Sequence, residues 1–154
     1  MSSLLLFPGQ GAQAVGMGRE LAEGLDECRA LFARAGDVLG FDLLKLCREG
    51  PIEELTKSDV AQPAIFTVSV AARAALAHFA GGKLQVAGTA GHSLGEWTAL
   101  HEAGVVSFED ALRVLRARGQ FMQEACLATP GGMLTIIGLT LDKVQEVART
   151  AGLE

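Results

Sequence analysis

The sequence is poor in positive charge, and what it has is scattered. Thirteen Lys and Arg stand against eighteen Asp and Glu, a net charge of -5 with a pI near 5.2. No basic run occurs. Long nucleic acid is therefore excluded as a partner, because its affinity rests on neutralising phosphates. Cysteine is scarce as well: Cys28, Cys47 and Cys126 lie far apart and match no metal-ligand spacing. They read as reduced, partly buried thiols of a cytosolic protein. No stretch approaches the roughly 20 apolar residues of a membrane span. The start, "MSSLLLFPGQG", lacks the positive n-region of a signal peptide. Repeats and low-complexity tracts are missing too.

What is present suits a packed fold. The 154 residues are 49% hydrophobic and 20% charged, enough for a sizeable core in one domain or in a piece of a larger one. "SLLLF" (3 to 7) reads as a short buried strand stopped by Pro8. Residues 18 to 35 are helix-like, with Leu21, Leu25, Cys28, Leu31 and Phe32 at helical spacing. "GPIEEL" predicts a short helix with Pro51 at its first position and acids in its first turn. Residues 60 to 80 are apolar on nearly every side, as in a buried helix. "LQVAGTAG" (84 to 91) is a core strand, followed by a helix from about 94 to 103. "SFED" at Ser107 fits a capping box with Asp110. "GGMLTIIGL" (131 to 139) reads as a strand and "LDKVQEVARTAG" (141 to 152) as a helix. Alternating strands and helices predict an α/β layer structure.

"AGTAGHSLGEW" (87 to 97) carries the strongest chemical signal. A strand leads into Gly91-His92-Ser93-Leu94-Gly95 and a helix leads out, the context of a nucleophile elbow. Side chains at Gly91 or Gly95 would collide with neighbouring backbone. Ser93 is left exposed at the sheet edge, beside the unpaired N–H groups and positive dipole end of the next helix. "FPGQGAQ" (7 to 13) follows the first strand. Its Gly9, Gly11 and Ala14 also fit a dinucleotide fingerprint, but that needs a second strand about 20 residues on, where this sequence is helical. The better reading is a loop that brings N–H groups and Gln10 toward the serine, as one half of a two-donor oxyanion hole.

"FPGQGAQ", "AQPAIF" (61 to 66), "GHSLGEW" (91 to 97) and "RARGQFMQEA" (116 to 125) occur in this order. Together they resemble the malonyl-CoA:acyl carrier protein acyltransferases of fatty-acid and polyketide synthesis, over about the N-terminal half of that family's domain. The resemblance implies that Ser93 takes the malonyl group from malonyl-CoA and passes it to the phosphopantetheine thiol of an acyl carrier protein. It implies an oxyanion hole from the backbone N–H groups of Gln10 and Leu94, Gln62 lining the active site, and Arg118 on the malonyl carboxylate. It also implies a cytoplasmic location and no metal or cofactor. The implied fold is an α/β-hydrolase-like subdomain with a parallel sheet, begun by residues 1–128. Residues 129–154 would supply the first strand and helix of a small ferredoxin-like subdomain.

Arg118 stands out on the residues alone. On a helical wheel it falls in the arc of Ala111, Val114, Leu115, Phe121, Met122 and Ala125, where an unpartnered charge is costly. Either it pairs with an acid such as Glu96, or it is a fork-shaped donor for a substrate carboxylate. A serine also needs a base. His92 adjoins Ser93 but points to the opposite face of an extended segment, and reads as shaping the turn or pocket. His101 lies about two turns down the next helix, and His78 ends the apolar helix. In the family the partner histidine comes later in the chain. The sequence thus resembles an acyltransferase lacking half of its catalytic pair, a fragment or one half completed by a C-terminal complementary chain. Two alternatives stand beside it: a serine hydrolase or thioesterase of α/β-hydrolase type, and an inactive half that binds a partner chain.

Overall fold

Residues 2–129 and 136–152 are described by a computed structural model. Strand β1 (Ser2–Phe7) runs through a loop into α1 (Arg19–Gly24) and α2 (Asp26–Leu39). The helical stretch expected from 18 to 35 is therefore two helices. Leu25 between them is extended, at φ -137° and ψ 122°. In α2, Cys28, Phe32, Ala35 and Leu39 recur at steps of three and four, and all are buried. α3 (Leu43–Glu49) starts at Asp42, whose side chain accepts from the Lys45 N–H. α4 (Ile52–Thr56) has Glu53 and Glu54 in its first turn as expected. Pro51 is extended, however, so it caps the helix instead of opening it.

α5 (Ser58–Phe79) has 22 residues and is long and apolar enough to cross a membrane, contrary to the expectation that no stretch comes near. Its apolarity is that of a core helix: Ala61 through Thr67, Val70, Ala71 and Ala75 are buried, with α2 packed against it. β2 (Gln85–Gly91) pairs parallel to β1, from Ser2 opposite Gln85 to Phe7 opposite Gly91. α6 (Gly95–Glu102) packs on both strands. α7 (Phe108–Ala128) lies along α5 and is capped by Ser107, whose Oγ accepts from the Asp110 N–H at 3.1 Å, as the "SFED" motif predicts. The chain thus has an α/β fold with a small parallel sheet and many helices.

The core lies among the helices, where Phe32, Leu39, Leu43, Leu55, Phe66, Leu112 and Leu115 are fully enclosed. The strands are not buried as expected. Leu4 and Leu6 are 71% and 77% exposed, and no residue of β2 is fully buried. An apolar run signals cover on both faces, but α6 covers only one. Cys28 and Cys47 are enclosed and Cys126 is exposed. Burial pushes the Cys47 thiol up to about 12. α8 (Leu141–Thr150) buries no residue. Of the strand expected over 131–139, residues 131–135 fall outside the described residues, and 136–139 are not strand.

Candidate active site

The turn between β2 and α6 is held in a costly shape. Ser93 has φ 56°, the one positive φ on a residue other than glycine among the described residues. A side chain there crowds its own backbone. Three hydrogen bonds fix the turn: His92 N–H to the Phe7 carbonyl at 3.1 Å, Gly95 N–H to His92 at 2.9 Å, and Glu96 N–H to Ser93 at 3.2 Å. A Cβ on Gly91 would land on the Gly95 carbonyl, and one on Gly95 on the Phe7 carbonyl. The two glycines that flank Ser93 are required by this close packing. The "FPGQGAQ" loop lies against the same turn, since a Cβ on Gly9 would sit 3.0 Å from the His92 carbonyl oxygen. Two helices follow this loop, which leaves the dinucleotide reading without its second strand.

Arg118 reaches this turn from α7. Its Nη2 donates to Ser93 Oγ at 3.0 Å and its Nη1 to Gln62 Oε1 at 2.6 Å. Glu96 is not its partner. The guanidinium is half-buried and has no counter-ion among the described residues. Gln62 on α5 is fully enclosed. Its Nε2 donates to Gln10 Oε1 at 3.4 Å and contacts Met122 Sδ at 3.1 Å. Gln10 Nε2 in turn donates to Ser58 Oγ at 3.1 Å. Loop, turn, α5 and α7 thus converge on Ser93.

Gly119 makes this convergence possible. A Cβ there would strike the Ser58 carbonyl oxygen and the Asp59 backbone. α7 therefore passes the first turn of α5 close enough for Arg118 to meet Gln62. Sequence reasoning missed Ser58 and Gly119. Ser58 stands four residues before Gln62 on one helix face, and Gly119 is an isolated glycine inside a helical pattern; both signals were present.

The apolar arc expected on α7 divides in two. Phe108, Ala111, Leu112, Leu115 and Gly119 are buried. Val114, Ala117, Phe121, Met122 and Ala125, with Trp97 and Arg118, instead line an open groove of about 540 Å³. Among the described residues, no histidine bonds to Ser93. His92 is exposed, with its Nδ1 beside Gly9. His101 Nδ1 lies 3.0 Å from the Val106 carbonyl oxygen, and its ring packs against Phe66 and Phe108, which stack on each other. His78 packs edge-on against Phe79. Leu94 is fully enclosed, and neither its N–H nor that of Gln10 makes a backbone hydrogen bond among the described residues.

A serine at a strained strand-to-helix turn, on a parallel sheet and faced by an arginine, is the arrangement of an α/β acyltransferase. Residues 4–151 match the acyl transferase domain family, and the chain belongs to that family. It is similar to the malonyl CoA-acyl carrier protein transacylase of Salmonella typhimurium, 49% identical over 134 residues. That match covers 87% of this chain and 43% of the relative. The crystal structure of malonyl-CoA:acyl carrier protein transacylase from Helicobacter pylori superposes with a TM-score of 0.86 at 38% identity, over 97% of this chain and 48% of that one. A malonyl-transacylase solved in complex with its type II PKS acyl-carrier protein superposes at 0.81 with 42% identity, over 97% of this chain and 49% of that one. The chain thus spans somewhat less than half the length of these proteins.

Proposed function

We propose that this chain forms the nucleophile-bearing half of an enzyme that moves a malonyl group from malonyl-CoA to the phosphopantetheine thiol of an acyl carrier protein. Ser93 Oγ attacks the thioester carbonyl and gives up its proton to a base. The carbonyl oxygen becomes an oxyanion between the N–H groups of Gln10 and Leu94. The carbon–sulfur bond breaks, coenzyme A leaves as the thiol, and an acyl-serine remains. The carrier thiol then attacks the ester, and Ser93 recovers its proton. Arg118 exchanges its bond to Ser93 for the malonyl carboxylate, and His92 shapes the mouth of the pocket. No metal or cofactor enters this scheme, and the enzyme works in the cytoplasm.

The base is a histidine from the remaining part of the family's length, supplied by further chain or by a complementary one. The same part completes the α/β-hydrolase-like subdomain and the small ferredoxin-like one to which α8 belongs. The exposed Leu4 and Leu6 support this reading, since they leave an apolar sheet face for it to cover.

One observation carries the proposal: a guanidinium bonded to the nucleophile itself, with no counter-ion among the described residues. A hydrolase of uncharged esters has no use for it. Incubating the complete enzyme with malonyl-CoA should add one malonyl group, mapped to Ser93, and Ser93→Ala should abolish it. Label on Cys126 instead of Ser93 would refute the mechanism.

A further inference from the structure

Ser58, Gln10, Gln62 and Arg118 form one hydrogen-bond chain that ends on the nucleophile, and its direction is forced. A guanidinium only donates. Gln62 must therefore turn Oε1 to Arg118, at 2.6 Å, and Nε2 toward Gln10 and Met122. Gln10 must then present its own Oε1 to Gln62, which leaves its Nε2 for Ser58 Oγ. Each amide is oriented by the charge at the far end. Gln62 is fully enclosed, so water cannot rescue a flipped amide.

We propose that Gln62 is a positioning residue. By accepting from Nη1 of Arg118 it aims Nη2 at Ser93. Through Gln10 and Ser58 it locks that aim to the loop facing the nucleophile. An arginine side chain has several rotatable bonds, and without this anchor its fork would sample many directions. Acyl groups that carry a carboxylate would suffer more than acetyl, because only they use the fork. This selectivity rests on the malonyl reading above, whereas the anchoring of Arg118 does not.

The test uses the complete enzyme with Gln62→Leu and Gln62→Glu. Leucine removes the acceptor at similar volume. Glutamate keeps an acceptor, but its charge competes with the substrate carboxylate. Each variant should lower the ratio of malonyl to acetyl loading by about tenfold or more, with the glutamate effect mainly in KM. Nitrogen-15 spectra give a reading independent of turnover. Arg118 should show distinct, slowly exchanging Nη signals in the parent enzyme, and these should merge in Gln62→Leu. Equal losses for malonyl and acetyl, or Nη signals unchanged in Gln62→Leu, would overturn the positioning role. A parent enzyme that loads no malonyl would refute the functional proposal, and the Nη comparison would still decide the role of Gln62.

Discussion

Replacing Arg118 by alanine separates selectivity from stability. Arg118 makes two hydrogen bonds, to Gln62 and to Ser93. On substrate binding Nη2 turns from Ser93 to the carboxylate, while Nη1 keeps its bond to Gln62 and points its second N–H at the same carboxylate. Hydrogen bonds to charged groups contribute about 1.5–3 kcal/mol each, and part of that gain is offset by the bond to Ser93 given up. A net loss of about 3 kcal/mol is a fall of roughly 100-fold in malonyl loading. Acetyl has no carboxylate to clamp, so its loading should be spared or improved. Arg118→Lys should be intermediate, because lysine keeps the charge and loses the fork. The substitution also orphans Gln62 Oε1 in an enclosed site, at a cost of about 1–3 kcal/mol in folding stability. The assay is side-by-side malonyl and acetyl loading of the complete enzyme, with urea unfolding in parallel. An equal loss for both acyl groups would show that the arginine is structural.

Gly119→Ala should push α7 away from the Ser58 carbonyl. A loss of about 1–3 kcal/mol in urea unfolding is expected, with weaker loading of Ser93 as Arg118 withdraws; an unchanged unfolding midpoint would contradict the close approach. Arg34, hydrogen-bonded to Glu109 at 2.6 Å, holds that carboxyl below its usual range. A folded-state value below the unfolded one stabilises above the ordinary carboxylate range, and this contribution fades as pH falls through the folded value. Glu109→Gln should therefore narrow the gap between stability near neutrality and in acid. The pair is only partly shielded from water, so the change should be small, and a larger acid sensitivity in the variant would be the wrong sign.

Much of the site was legible because its requirements are local. Gly-X-Ser-X-Gly between a strand and a helix specifies one turn, and that turn forms. Arg118 was visible as a charge inside an apolar arc. Its partner was not, because the choice between Glu96 and a neutral group depends on which helix passes α7, a long-range fact set by Gly119. The strands were misjudged for a related reason. Leu4 and Leu6 carry the signature of burial, but burial depends on what stands opposite, and no neighbouring segment of the sequence states that. The break at Leu25 went unread because Leu21, Leu25 and Cys28 keep helical spacing across it. The division of the α7 arc into a buried half and an open groove likewise depends on how much of a helix its neighbours cover.

The left-handed backbone at Ser93 places the proposed nucleophile where folding alone would choose another residue. Glycine is free of the Cβ crowding at φ 56° that serine must bear. A chain selected in the laboratory only for heat resistance would therefore drift toward glycine at position 93. It would gain about 1 kcal/mol and lose the hydroxyl that the proposed acyl transfer uses. Screens for hardier versions of such an enzyme must score loading along with melting, or they will reward the inactive ones.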